Sequence, residues 1–194
     1  KGSSYEGDRN PDFLLSHDKT CIIVALQYAP DGNVYFTDWS DKQVCHTGNV
    51  EIWDRTNGRV FKILHKDTKP VKGLDLQKMT DAELVKLQTS DNEWMVRHAR
   101  RILQERATKS PISDDAIAHL KTMMESFDSE VALPALWTMV VADCTQHLVG
   151  SAPNGLLVHD VLAWWIRITS QKPNFLSSQM GYLVKLANSD FSSD

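Results

Sequence analysis

Tyr28-Ala29-Pro30-Asp31-Gly32-Asn33-Val34-Tyr35-Phe36-Thr37-Asp38-Trp39 is the stretch that sets the character of the first third of the chain. Proline presets one backbone dihedral and glycine supplies a positive φ, so Ala29 to Asn33 reads as a turn. Before it, Cys21-Ile22-Ile23-Val24-Ala25-Leu26 is a short apolar run rich in β-branched residues. After it, Val34 to Thr37 reads as the returning strand of a hairpin. A polar loop follows from Asp38 to Asp54. Arg59-Val60-Phe61-Lys62-Ile63 then alternates polar and apolar side chains, as a half-buried strand does. Three or four short strands are expected, forming a sheet that is marginal in isolation and has open edges.

Further along, the composition turns polar between His65 and Gly73, and 65–79 reads as a linker. From Thr80 the apolar period becomes helical. Thr80-Asp81-Ala82-Glu83 has the form of a capping box, leading into a helix through Leu84, Val85 and Leu87. Asp91 is expected to cap a helix from Glu93 to Ala107, with Trp94, Ala99, Ile102 and Leu103 on its apolar side. Ser113 caps the next, which carries Ile117, Leu120, Met123 and Met124. Val131 to Ala142 is helical with Pro134 in its first turn, and Leu156–Thr169 and Phe175–Ala187 complete the series. Val96, Val131 and Val161 open three related stretches at intervals of 35 and 30 residues. That period suits an α-solenoid, in which each helix pair buries its face on the next. The expected fold class is α+β, mainly α.

The chain has 194 residues, 42% apolar and 24% charged, with a net charge of -4, so it carries enough apolar material for a packed core. The negative balance argues against non-specific nucleic-acid binding, which depends on displacing phosphate counterions. Cys21, Cys45 and Cys144 show no metal or haem spacing. Cys21 and Cys45 are candidates for a bridge in an oxidising compartment. No signal-peptide pattern is visible at Lys1-Gly2-Ser3-Ser4, and the run Val161 to Ile168 is too short to span a membrane.

The Tyr28–Trp39 stretch resembles the blade motif of soluble glucose- and sorbosone-dehydrogenase-like propellers. Cys45-His46 and Glu51-Ile52-Trp53-Asp54-Arg55-Thr56-Asn57-Gly58-Arg59-Val60-Phe61-Lys62-Ile63 look like the propeller end of PVC-type membrane-bound dehydrogenases. In that family HEAT-like repeats follow, and Asp81 to Val85 with Trp94 to Arg106 resemble the first of them. The resemblance implies a terminal propeller blade over 1–64, a linker over 65–79 and HEAT-like repeats over 80–194. It also implies an extracytoplasmic location (periplasmic or secreted), and pyrroloquinoline quinone with calcium in the longer parent protein, though not in this chain. A propeller needs several blades around its channel to build a site, so no catalytic residue is assigned here.

Asp38, His46, Asp54 and Arg55 are the candidate cofactor-binding residues. A functional reading gives Asp38 a place on calcium or a sugar hydroxyl. A structural reading has it accepting turn amides, with Trp39 packed on a neighbouring blade. Arg55 and Arg59 are suited to an anionic cofactor through their guanidinium forks. The structural alternative pairs Asp54 with an arginine and makes Asn57-Gly58 a tight turn. His17-Asp18 and Cys45-His46 lack a second ligand at useful spacing for a metal.

On the helical side, Arg97 and Arg101 share one face, with Glu93 and Glu105 in reach. That face reads either as an ion-paired solvated surface or as a dock for an acidic partner. Trp137, Trp164 and Trp165 fall in apolar stripes, and one of the adjacent pair must point away, which makes Trp165 a candidate exposed anchor. The leading expectation is a scaffold whose partner is another protein or the remainder of the propeller. The alternatives are a contribution to a pyrroloquinoline-quinone dehydrogenase site and an independent helical binder.

Overall fold

The computed structural model describes residues 7–41, 56–148 and 158–169, with single positions at 171, 181 and 184. The chain is mixed α and β, mainly helical, with a three-stranded antiparallel sheet. It divides into two compact units: one takes 7–74 with 92–95, the other 75–91 and the described residues from 96 onward. The division at 74/75 falls inside the stretch expected as linker. Asp75 caps a short 3-10 turn over Leu76–Lys78 by accepting from the Gln77 amide, and Leu76 is buried, so the end of that stretch belongs to the helical unit.

In the β unit, β1 (Ile23–Tyr28), β2 (Val34–Asp38) and β3 (Arg59–Ile63) lie in the order β1-β2-β3. The Gly32 amide donates to the Ala29 carbonyl at 2.8 Å, and Gly32 sits at φ +75°, which a Cβ would disfavour. Leu26 pairs with Phe36 and Phe36 with Phe61, whose rings stack at 5.0 Å. The register shifts between Ile23 and Ala25, a bulge that leaves Ile23 opposite Asp38. β1 begins two residues later than the apolar run suggests.

The burial in this sheet is inverted. All six residues of β1 are exposed, with Leu26 at 64%, and Val60 on the opposite face reaches 71%. Apart from Phe36, the buried residues among the described part of the unit are polar: Asn33, Asp38, Ser40 and Asp41.

The helical unit holds α1 (Asp81–Lys86), most of α2 (Glu93–Ala107), α3 (Asp114–Met124), α4 (Ser129–Val141) and α5 (His159–Thr169). The capping box at α1 is present with both bonds: Thr80 Oγ1 accepts from the Glu83 amide, and Glu83 Oε2 accepts from the Thr80 amide. Asn92, not Asp91, caps α2, its Oδ1 accepting from Trp94 N at 2.9 Å. Ser113 caps α3 as its position suggests.

Asp128 caps α4, which therefore starts at Ser129 and places Pro134 in the second turn instead of the first. Proline cannot donate to the carbonyl four residues back. One turn on, the Pro134 carbonyl accepts from Thr138 Oγ1 at 2.7 Å.

The core of this unit is built from Leu84 and Val85, Ala99 and Leu103, Ala116 and Leu120, Leu136 and Met139, and Val161. α3 packs on both α1 and α4, and α4 packs on α5. After Glu130, α4 carries no charged residue, and its apolar side chains go all the way round, as suits a helix with neighbours on two sides. Val96 and Val161 are buried but Val131 is half-buried, so the three valines of the suspected repeat do not occupy equivalent places. The expected helix over Phe175–Ala187 lies outside the described residues apart from positions 181 and 184.

Candidate functional site

In the β unit the charged groups converge on one guanidinium. Arg59 opens β3 opposite Asp38, the last residue of β2. Its Nε donates to Asp38 Oδ2 at 2.5 Å, its Nη2 pairs with the same carboxylate, and its Nη1 donates to Asp18 Oδ2 at 2.9 Å. Asp38 Oδ1 accepts from the Ile22 amide at 2.7 Å and from the Ser40 amide at 2.9 Å. Asp18 Oδ1 accepts from the Thr20 amide and hydroxyl at 2.9 and 2.8 Å.

This clasp ties the segment before β1, the end of β2 and the start of β3. The Thr20 amide and hydroxyl, then Arg59, hold the Asp18 carboxyl at about 2. Burial alone would raise Asp38, but the Ile22 and Ser40 amides and Arg59 outweigh it and leave it below the usual carboxylate range. The Arg59 pKa is raised by the same two carboxylates.

A second pair pins the turn. Lys62 Nζ donates to Asp31 Oδ2 at 2.6 Å while lying 5.1 Å above the Tyr35 ring. With the Asn33 bonds this holds the Asp31 carboxyl at about 2. Asn33 Oδ1 in turn accepts from the His65 amide at 3.0 Å, closing the far end of β3.

In the helical unit the polar centre is Gln88, which is buried. Its Nε2 donates to the Leu84 and Val96 carbonyls at 3.3 and 3.4 Å, and its Oε1 accepts from Arg100 Nε at 3.0 Å and Thr138 Oγ1 at 3.1 Å. The Arg100 guanidinium lies 5.4 Å over the Trp137 ring. Trp137 meets Trp164 edge to face at 5.4 Å, and Arg167 lies 4.7 Å over Trp164. An Arg–Trp–Trp–Arg series therefore runs from α2 through α4 to α5, with both rings half-buried. Asp81 forms a further tie, accepting from Arg106 Nη1 at 2.7 Å and from the Ser113 amide at 2.9 Å.

These positions revise several sequence expectations. Both oxygens of Asp38 are taken by donors and its side chain is shut off from solvent, so it braces the strand ends instead of facing a ligand. His46, Asp54 and Arg55 lie outside the described residues, as does Cys45. Arg101 pairs with Glu105 at 2.7 Å on the exposed side of α2, where Arg97 is exposed too.

Trp165 is only 2% exposed, and the exposed-anchor expectation is corrected: it follows Val161 by four residues on the inward stripe, which leaves Trp164 on the flank. Asn57-Gly58 is not a tight two-residue turn; Gly58 has no positive φ, and the pair precedes β3 at the end of a long connection.

Sequence reasoning did not single out Gln88, Thr138 or the Asp18–Arg59 bond, because their partners lie 50 and 41 residues away. Arg167 over Trp164 was legible as an i, i+3 pair. Among the described residues, no three His, Cys, Asp or Glu side chains are grouped to hold a metal ion, and no described helix is long and apolar enough to cross a membrane. No family model, curated protein or solved structure matches this chain.

Proposed function

We propose that this chain is a scaffold: its helical unit presents an interaction surface, and its β unit is a propeller-type blade that works against neighbouring β-sheet. The observation that carries the reading is the inverted burial of the sheet. Leu26 and Tyr28 stand exposed on one face and Val60 on the other, while the Asp38 carboxylate that Arg59 grips is shut off from solvent. A blade stacked between two others has apolar side chains on both faces and keeps its order by internal polar ties. The succession of α3, α4 and α5, with α4 apolar on every side, supports a HEAT-like stack in the second unit. In such a stack the exposed Arg97 and Arg101 side of α2 is the surface offered to an acidic protein.

The test uses the protein produced from its complete gene. Hydrogen exchange is followed on β1 and β3, and Leu26→Glu and Val60→Glu variants are compared for thermal stability. Slow exchange along β1 with a lowered midpoint for both variants supports a sheet covered on both faces. Exchange as fast as in a frayed edge, with both variants neutral, refutes it. Sugar-dependent dye reduction by the same protein supplied with pyrroloquinoline quinone and calcium would replace a pure scaffold with a dehydrogenase.

A further inference from the structure

We propose that β1 is a self-pairing edge: two copies of this chain join β1 to β1, antiparallel, with Leu26 of one opposite Tyr28 of the other. The order β1-β2-β3 leaves β1 paired on one side only. The turn sets which way its backbone groups point. The Ala29 amide donates to the Asn33 carbonyl at 3.0 Å, and bonded and non-bonded pairs alternate along an antiparallel ladder. With Gln27 opposite Tyr35 and Ala25 opposite Thr37, residues 25 and 27 bond to β2, while Leu26 and Tyr28 turn amide and carbonyl outward. No strand among the described residues meets those groups, and both side chains are exposed, Leu26 at 64% and Tyr28 at 37%. The open stretch is bounded at both ends. A bulge precedes Ala25; beyond Tyr28, Pro30 has no amide to give and its carbonyl accepts from Asn92 Nδ2 at 2.9 Å.

Charge and geometry both point to a second copy as the occupant. Sheet edges are ordinarily guarded by charge, proline or a cover, and β3 at the other edge carries Arg59 and Lys62. β1 reads Ile-Val-Ala-Leu-Gln-Tyr, without charge or proline. A charged partner finds no counter-charge on it, whereas a copy of the strand brings no like charges together across a two-fold axis. Centred on Gln27, such an axis gives every outward amide of Leu26 and Tyr28 a carbonyl of the other copy, and every outward carbonyl an amide, with none left over. Centred on Leu26 instead, it would set Tyr28 against the bulge at Val24. The two Gln27 side chains then face each other and bond reciprocally. Leu26 and Tyr28 of the two copies extend the face that holds the stacked Phe36 and Phe61.

So short a stretch buries less than the roughly 800 Å² per partner of a standard interface, so the dimer forms and parts with concentration. The pairing uses the edge of the sheet and not its faces, and it holds or fails independently of the blade reading.

The test is sedimentation velocity of the full chain from low to high micromolar concentration, under reducing conditions, beside Leu26→Pro and Leu26→Lys. Leu26→Pro removes an outward amide that β2 does not use, and Leu26→Lys gives β1 the kind of guard that β3 carries. The chain is expected to sediment increasingly as a dimer, with association weakened about tenfold or more in both variants; if the proline variant loses its circular dichroism, the lysine variant decides alone. Cysteines read the register in a Cys21→Ser, Cys45→Ser background. Gln27→Cys, with its own copy directly opposite at a Cα separation of about 4.5 Å, forms a dimer disulfide on mild oxidation. Leu26→Cys, diagonal to its copy at about 7–8 Å, does not. A chain that stays monomeric throughout overturns the proposal; if its Leu26 and Tyr28 amides still resist hydrogen exchange, another part of the same chain holds the edge and the blade reading stands without it. A dimer untouched by both Leu26 variants overturns the edge, and linking by Leu26→Cys in place of Gln27→Cys overturns the register.

Discussion

Gln88 offers the sharpest test of how the helical unit is held together, through a double-mutant cycle with Thr138. Gln88→Leu keeps the volume but removes the oxygen that accepts from Arg100 and Thr138, together with two long bonds to carbonyls. Arg100 is stacked over Trp137 and cannot swing to water without leaving that ring. Arg100 is half-buried and its Nε keeps Thr138 Oγ1 at 3.3 Å, so the cost is that of the lost Gln88 bonds, about 1–3 kcal/mol. Thr138→Val leaves Gln88 with Arg100 but removes a hydroxyl that also donates to the Pro134 carbonyl at 2.7 Å, and each neutral bond of this kind is worth about 1 kcal/mol.

If the two side chains act as one buried network, the double variant replaces both partners of their bond by apolar groups. Each single variant leaves Arg100 Nε one of its two acceptors and the double removes both, so the double should depart from the sum of the singles by a coupling of about 0.5–3 kcal/mol. Urea titrations followed by far-ultraviolet circular dichroism, with tryptophan fluorescence as a second probe near Trp137, measure all four corners. Strict additivity, within about 0.3–0.5 kcal/mol, would show that the 3.1 Å contact between Gln88 and Thr138 contributes nothing and would sink the argument.

Three further outcomes follow from the same packing. Leu103→Ala, at a fully buried position, should cost about 2–5 kcal/mol by the same denaturation assay, since the surrounding helices cannot close the cavity. The Asp18 and Asp31 carboxyls titrate lower in the fold than in the unfolded chain, so ionisation favours folding. The stability they contribute is present above pH 3.8 and is lost as pH falls toward about 2; carboxyl-carbon resonances through an acid titration should track the loss in the β unit. Cys144, whose thiol burial raises to about 11, should resist alkylation at neutral pH while half-buried Cys21 reacts, and mass mapping after brief iodoacetamide treatment distinguishes them.

What the sequence by itself determined was local. The turn at Pro30-Asp31-Gly32, the capping box at Thr80 and Glu83, the Ser113 cap and the strand Arg59–Ile63 all depend on residues within a few positions of one another. Short-range sterics and nearby hydrogen bonds suffice to fix them. Even so, neighbouring residues compete: Asn92 took the cap that Asp91 was expected to hold, and Asp128 moved the start of α4 so that Pro134 fell a turn deeper.

Tertiary structure decided the rest. Whether Asp38 faces a ligand or a guanidinium depends on the register of β2 against β3, and the connection between them leaves that register open in the sequence. Whether Trp164 or Trp165 turns inward depends on which side of α5 meets α4, and two adjacent tryptophans carry no information about that choice. Periodicity marks an apolar stripe, but only the neighbouring element determines which residue at its edge is covered.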